Sequence, residues 1–426
     1  MMSLSLVLLF LLFVVTGLPI AMAMGLSAAA VIWWFDMPLA VLAQRTINSL
    51  DSTPLLAVPM FIFAAAIFNN TGITGQLFDF CRMLIGRIRG GLGHVTVVTH
   101  LVFSGVSGAA LADIGALGSI QIRMMRAQGY RDEFSAGICM AASTLGPIFP
   151  PSIPLVIFAM AAETSPVKLL LAGVVPSLII AGFLMGMVWW MARKGGLPRD
   201  DIVITRAKFL KQLWVTVPAL LAPVVLIGGL VIGIFGSTEA AAVTVVYALL
   251  VGLFVYRSLT WQGMVDAARE TVQSSANVMF IVGCAAIFAY VLTLDQVPMK
   301  ATEWFLSISK DPTVLLMIVN VLLLLVGMIM ESIAAILIIA PIITPALVAA
   351  GVDPAHLGVV VVLNLMIGLL TPPVGMSLYM VANVAKMPLE RVIASAWPWI
   401  ICLALSLIAV TLLPAASTWL PNLIMN

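Results

Sequence analysis

Gly146-Pro147-Ile148-Phe149-Pro150-Pro151-Ser152 and Gly368-Leu369-Leu370-Thr371-Pro372-Pro373-Val374-Gly375 are two breaks, each inside an otherwise apolar run. Proline lacks a backbone N–H and its ring clashes with the preceding turn, so a tandem pair stops a helix. The carbonyls freed by such a break are costly in lipid and are tolerated only against protein or beside a wet cavity. Unwound carbonyls can ligate a cation, and a restarting helix attracts an anionic group. A single break reads most simply as a packing kink. Two at matching positions point to function.

The positions match because the chain repeats. Shifted by 222 residues, segment 101–177 aligns with 323–399 without a gap. Only 13 of 77 positions are identical, but seven of these are Gly or Pro, several times the number expected by chance. Gly105, Gly129 and Gly146 meet Gly327, Gly351 and Gly368, while Pro150, Pro151, Pro166 and Pro176 meet Pro372, Pro373, Pro388 and Pro398. These two residue types govern backbone path, so the halves share a path while their side chains have diverged.

The surroundings of the breaks are those of a membrane. Of 426 residues, 62% are hydrophobic and 9% charged, against about a quarter charged in a soluble domain. Apolar stretches cover 3–35, 54–78, 170–192, 213–235, 240–256, 275–294, 313–349 and 392–413, and a spanning helix needs roughly 20 residues. A secreted, globular or nucleic-acid-binding protein is excluded. The first 35 residues lack the basic start of a signal peptide and read as retained helix, one or two, with a break at Gly17-Leu18-Pro19.

Basic residues set the direction. Arg82, Arg87 and Arg89 mark one loop, Arg123, Arg126 and Arg131 a second, and Arg193, Lys194, Arg199, Arg206, Lys208 and Lys211 a third. By the positive-inside rule all three face the cytoplasm. Segment 93–122 then begins and ends on one side and is a re-entrant hairpin. Three spans separate the copies, so the second hairpin, 313–349, opens the other way. The expected fold is an all-α polytopic membrane protein of two inverted repeats, the plan of a secondary transporter. The first repeat covers residues 1–212, with hairpin 93–122 and broken helix 133–163. The second covers 213–426, with hairpin 313–349 and broken helix 355–384. Stretches 200–214 and 257–270 read as lateral interfacial helices.

Two carboxylates lie near the hairpin tips: Asp113, after Ser104-Gly105-Val106-Ser107-Gly108, and Glu331, in Gly327-Met328-Ile329-Met330-Glu331-Ser332. At membrane depth such groups are substrate or gating candidates; the alternative is helix capping. Glu239, in Ser237-Thr238-Glu239, reads as helix-start chemistry. His94, His100 and His356, and Cys81, Cys139, Cys284 and Cys402, lack ligand or disulfide spacing. No nucleotide-binding loop and no hydrolase motif is present, so neither a nucleotide-driven pump nor an enzyme is expected.

At these motifs the chain resembles the large membrane subunit (DctM/SiaM-type M subunit) of tripartite ATP-independent periplasmic (TRAP) transporters. The resemblance runs from Gly17-Leu18-Pro19-Ile20-Ala21 and Val58-Pro59-Met60-Phe61-Ile62 through Gly105-Val106-Ser107-Gly108-Ala109, Gly129-Tyr130, both Pro-Pro breaks and Ser237-Thr238-Glu239-Ala240. It implies an elevator mechanism coupled to Na+, with a first sodium site on Ser104, Ser107, Gly146, Pro150 and Pro151. It places a second on Gly327, Gly368, Thr371, Pro372 and Pro373. In many relatives the first tip reads Ser-Gly-Ser-Ala, from which Val106 and Gly108 depart while Ser104 and Ser107 remain. The resemblance further implies a periplasmic substrate-binding protein (P subunit) and a small four-helix membrane subunit (Q subunit), here a separate chain, in a bacterial inner membrane. The expected function is sodium-coupled import of a small organic acid or zwitterionic solute. The alternatives are a standalone dicarboxylate or citrate-type carrier and a membrane assembly subunit that transports nothing.

Overall fold

The computed structural model describes residues 1–200 and 205–425, and among them every regular element is helical. Helices α1 (Met2–Val15) and α2 (Ile20–Trp34) are separate and pack on each other. Gly17, at φ +88°, and Pro19, which caps α2, make the break between them. Next come α3 (Ala40–Leu50), α4 (Ala57–Asn70) and α5 (Ile73–Ile85). The first hairpin is α6 (Gly91–Ser107) and α7 (Ala110–Ala127). The first broken helix is α8 (Asp132–Ser143) and α9 (Ile153–Ala161), followed by α10 (Pro166–Ala172) and α11 (Val174–Arg193). Helices α12 (Arg206–Val231), α13 (Ser237–Leu250), α14 (Trp261–Leu294) and α15 (Val297–Ile308) lead to the second hairpin, α16 (Pro312–Gly327) and α17 (Ser332–Ala349). The second broken helix is α18 (Pro354–Gly368) and α19 (Met376–Ala385), and α20 (Leu389–Leu412) and α21 (Pro414–Met425) close the chain.

The 222-residue shift carries α7 onto α17 end for end, the start of α8 onto that of α18, and the start of α9 to within one residue of α19. Contacts between the copies come in exchanged pairs. α7 packs on α19 while α9 packs on α17, and α8 packs on α20 while α18 packs on α10. The contacts are thus reciprocal between the two shifted segments.

Seven helical stretches are long and apolar enough to span: Thr53–Asn70, Pro166–Arg193, Arg206–Val231, Ser237–Val255, Trp261–Leu294, Ser332–Ala349 and Leu389–Leu412. The α15–α16 pair, bent by 120°, would make an eighth. Large apolar side chains point outward along the α12–α14 stretch, among them Leu221, Val224, Val246 and Phe280, as lipid-facing surfaces do.

Two expectations fail. No separate interfacial helix covers 200–214 or 257–270: α12 runs unbroken from Arg206, and α14 from Trp261 over 34 residues. Residues 201–204 of the first stretch lie outside the described residues. Between Met264 and Val282 there is no Gly or Pro to stop α14, so propensity carries the helix through its polar start. At about 51 Å it is far longer than a ~30 Å hydrocarbon core.

The connector after α11 is tied to the base of the first hairpin. Gly90 N–H and Tyr130 Oη both donate to Pro198 O (3.1 and 3.0 Å). The buried Asp200 carboxylate accepts from both Nε and Nη2 of Arg82, Nη2 to Oδ1 at 2.9 Å, and from Gln128 Nε2 at 3.2 Å. Arg82→Ala leaves that carboxylate largely unpaired and should cost about 3 kcal/mol. Thermal unfolding in detergent checks this: the Arg82→Ala, Asp200→Ala double variant should melt above Arg82→Ala alone.

Candidate functional site

Each hairpin tip is bonded to its neighbouring break. In the first copy α6 ends at Ser107, Gly108 turns the chain at φ +69°, and Gly108 O accepts from Ile153 N–H at 3.4 Å. A Cβ on Gly108 would sit 2.5 Å from Pro151 O, so only glycine lets the tip lie on the break. In the second copy Met328 O accepts from Val374 N–H at 3.3 Å, and Gly327 meets Gly368 backbone to backbone. Both breaks carry a cis Pro-Pro peptide, Pro150-Pro151 and Pro372-Pro373.

The sequence-selected residues fall into distinct places. Ser107, Gly146, Pro150 and Pro151 gather at the first tip and break, with Asp113 against Gly146: a Cβ there would lie 2.4 Å from Asp113 Oδ2. Asp113 is fully buried and neither carboxylate oxygen has a hydrogen-bond partner; His100 Nδ1 lies 4.0 Å away. Ser104 sits one turn below the tip, its Oγ donating to His100 O. Gly327, Gly368, Thr371, Pro372 and Pro373 gather at the second tip, where Thr371 Oγ1 donates to Ile367 O at 2.8 Å. Glu331 is the cap of α17, its Oε2 accepting from Ile333 and Ala334 N–H at 2.9 and 3.2 Å. Glu331 thus caps α17 and also lines the central cavity.

That cavity, of about 190 Å³, lies where the two tips meet. Four helices begin at its wall: α7 at Ala110, α9 at Ile153, α17 at Ser332 and α19 at Met376. Helix N-termini carry the positive end of the macrodipole, although at α17 the Glu331 carboxylate and at α9 the Ser152 hydroxyl already accept from first-turn N–H groups. The facing wall is α4, with Ala65 and Asn69, and α14, with Glu270, Ser274 and Val278. No Lys or Arg lines it. Asn69, Glu270 and Ser274 escape a reading of the sequence, since only the packing of α4 and α14 brings them here. The carboxylate of Glu270 inside α14 was their one local signal. No cluster of three or more His, Cys, Asp or Glu could hold a metal among the described residues. The donors at both breaks are carbonyls and hydroxyls, which suit a hard monovalent cation.

A family model described as "Tripartite ATP-independent periplasmic transporter, DctM component" matches residues 7–416. The chain belongs to this family. As a DctM-family protein it is the large permease subunit of a TRAP transporter, a membrane transport protein and not an enzyme. It is 41% identical over 405 residues to the C4-dicarboxylate large permease DctM of Pseudomonas aeruginosa, covering 94% of each chain. It is 40% identical over 384 residues to the sialic acid large permease SiaM of Vibrio cholerae, covering 90% of each. In fold the DctM-family chain is similar to the YdaH transporter of Alcanivorax borkumensis (TM-score 0.64, 18% identity, 88% of each chain). It is also similar to MtrF of Neisseria gonorrhoeae (TM-score 0.67, 14% identity, 88% of this chain and 84% of that one).

The glycine contact at the second site can be tested directly. A Cβ on Gly368 would lie 2.5 Å from the Gly327 backbone, so Gly368→Ala forces the tip off the break and should cost about 1–3 kcal/mol. Gly228→Ala, in α12 with nothing within 4 Å of the added carbon, should gain up to about 1 kcal/mol. Melting temperatures of the two variants in detergent should move in opposite directions.

Proposed function

We propose that the chain imports a small organic acid together with sodium, the solute arriving from a periplasmic binding protein at the inner membrane. The observation that carries this reading is the ring of four helix N-termini around one cavity. It offers positive potential without a basic side chain, while Glu270 and Glu331 add negative charge. An anion entering such a site gains from a co-bound cation, and the two breaks beside the cavity supply oxygen donors for one each. Sodium at Ser107, Gly146 and the Pro150-Pro151 break, and at Gly327, Gly368, Thr371 and the Pro372-Pro373 break, meets that need. Ser104 completes the first set if its hydroxyl turns from the His100 carbonyl.

The reciprocal packing of the copies supports an inverted repeat, divided near residue 212. In this reading the two hairpins and two broken helices move as one body against α4 and α12–α14, an elevator. The relatives' names fit the substrate class: sialic acid, C4-dicarboxylate, and 2,3-diketo-L-gulonate for YiaN of Escherichia coli. The isethionate permease DctMQ of Oleidesulfovibrio alaskensis matches 95% of this chain over only 64% of its own length. This agrees with a small membrane subunit fused to the large one in that relative.

Uptake into proteoliposomes should need sodium, the small subunit and loaded binding protein together. Uptake that persists in potassium without a proton gradient would remove sodium from the mechanism; uptake without binding protein would favour a standalone carrier. Thr371→Val removes one hydroxyl from the second site. It should weaken the sodium dependence of uptake about tenfold, as expected for losing one ligand worth roughly 1.4 kcal/mol, with membrane abundance unchanged. An unaltered sodium dependence returns Thr371 to packing.

A further inference from the structure

We infer that the groove between α11 and α20 is a binding site for an anionic phospholipid of the inner leaflet. The groove has a volume of about 1050 Å³ and apolar walls, with Phe183, Met187 and Trp190 from α11 facing Trp397, Ile401 and Leu405 from α20. Its floor includes Gly182 and Gly186, where an added Cβ would meet nothing within 4 Å, so the space is open. Trp190, Trp397, Ile401 and Leu405 are about half exposed, and no element among the described residues covers them.

Length and charge select the occupant. From Ile179 to Trp190, α11 rises about 17 Å, half of a ~30 Å hydrocarbon core. That is the depth of one leaflet. A spanning helix of a partner protein would need a face running the full thickness. The groove ends at Trp190 and Met191, and the next residues are basic. Lys194 Nζ lies 3.8 Å above the Trp190 ring and the Arg193 guanidinium 3.9 Å above Trp189. Neither makes an ion pair among the described residues, whereas Arg391, at the start of α20, is already paired with Glu133. Arg193 and Lys194 belong to the basic loop that marks the cytoplasmic side, where anionic lipids face juxtamembrane cations. Acyl chains fill the apolar groove while the headgroup meets two cations held in place by tryptophan.

The test uses the full chain in liposomes doped with photoactivatable phosphatidylglycerol or phosphatidylcholine of the same acyl chains, with crosslinked peptides mapped by mass spectrometry. Phosphatidylglycerol should label segments 179–191 and 397–405 well above phosphatidylcholine. Arg193→Gln and Lys194→Gln should each lower that preference about fivefold. Gly186→Leu, which fills the groove on a helix that tolerates leucine, should abolish labelling by both lipids. Melting temperatures of all variants should match the parent, so loss of label is not loss of fold. Equal labelling by the two lipids, a preference that survives both charge removals, or labelling in Gly186→Leu would overturn the assignment. So would crosslinking of a partner subunit, instead of lipid, to the groove in the assembled complex.

Discussion

A helix that stops inside a bilayer leaves backbone N–H and C=O groups that lipid cannot satisfy. The two Pro-Pro breaks create this problem twice, and the hairpin tips answer it twice. Ile153 N–H reaches Gly108 O, and Val374 N–H reaches Met328 O. The tips are glycine-rich because the bond requires backbone to touch backbone. Gly108 lies on Pro151 and Gly327 on Gly368, at separations no side chain permits. Fixing the tips then fixes the rest. α7 and α17 begin just after the tips and α9 and α19 just after the breaks, and so their N-termini converge on one cavity.

Why the breaks were legible and the cavity wall was not follows from the range of each signal. Proline restricts its own φ and the residue before it, and glycine opens conformations that other residues rarely adopt, so the breaks, the tips and the split at Gly17-Leu18-Pro19 are visible in a few residues. The starts of α12 and α14 carry no such mark. A polar stretch with charged residues looks like a surface segment, yet here it is the first three turns of α14. Glu270 and Asn69 are farther out of reach. They belong to helices remote in sequence from the breaks, and only tertiary packing brings them to the cavity. Glu331 stands between these cases. Its place at a tip was readable, but that its carboxylate both caps α17 and faces the cavity depends on coordinates.

The two carboxylates also show how far the copies have diverged within one backbone plan. Asp113 lies where the shifted register puts Ala335. In the second copy that small residue accompanies direct contact between Gly327 and Gly368. In the first, Gly105 instead meets Pro223 of α12, and Gly146 faces the Asp113 carboxylate. A buried carboxylate with no hydrogen-bond partner is expensive, and packing alone gives no reason to retain it. His100 stands 4.0 Å from one oxygen, too far for a hydrogen bond, so neither carboxylate oxygen is satisfied among the described residues. Under the proposed function a cation at the first break would lie beside it, whereas at the second tip the Glu331 carboxylate is already engaged in capping α17. Two sites that share a backbone path would thus hold the same ion with different strength, the one with the carboxylate more tightly.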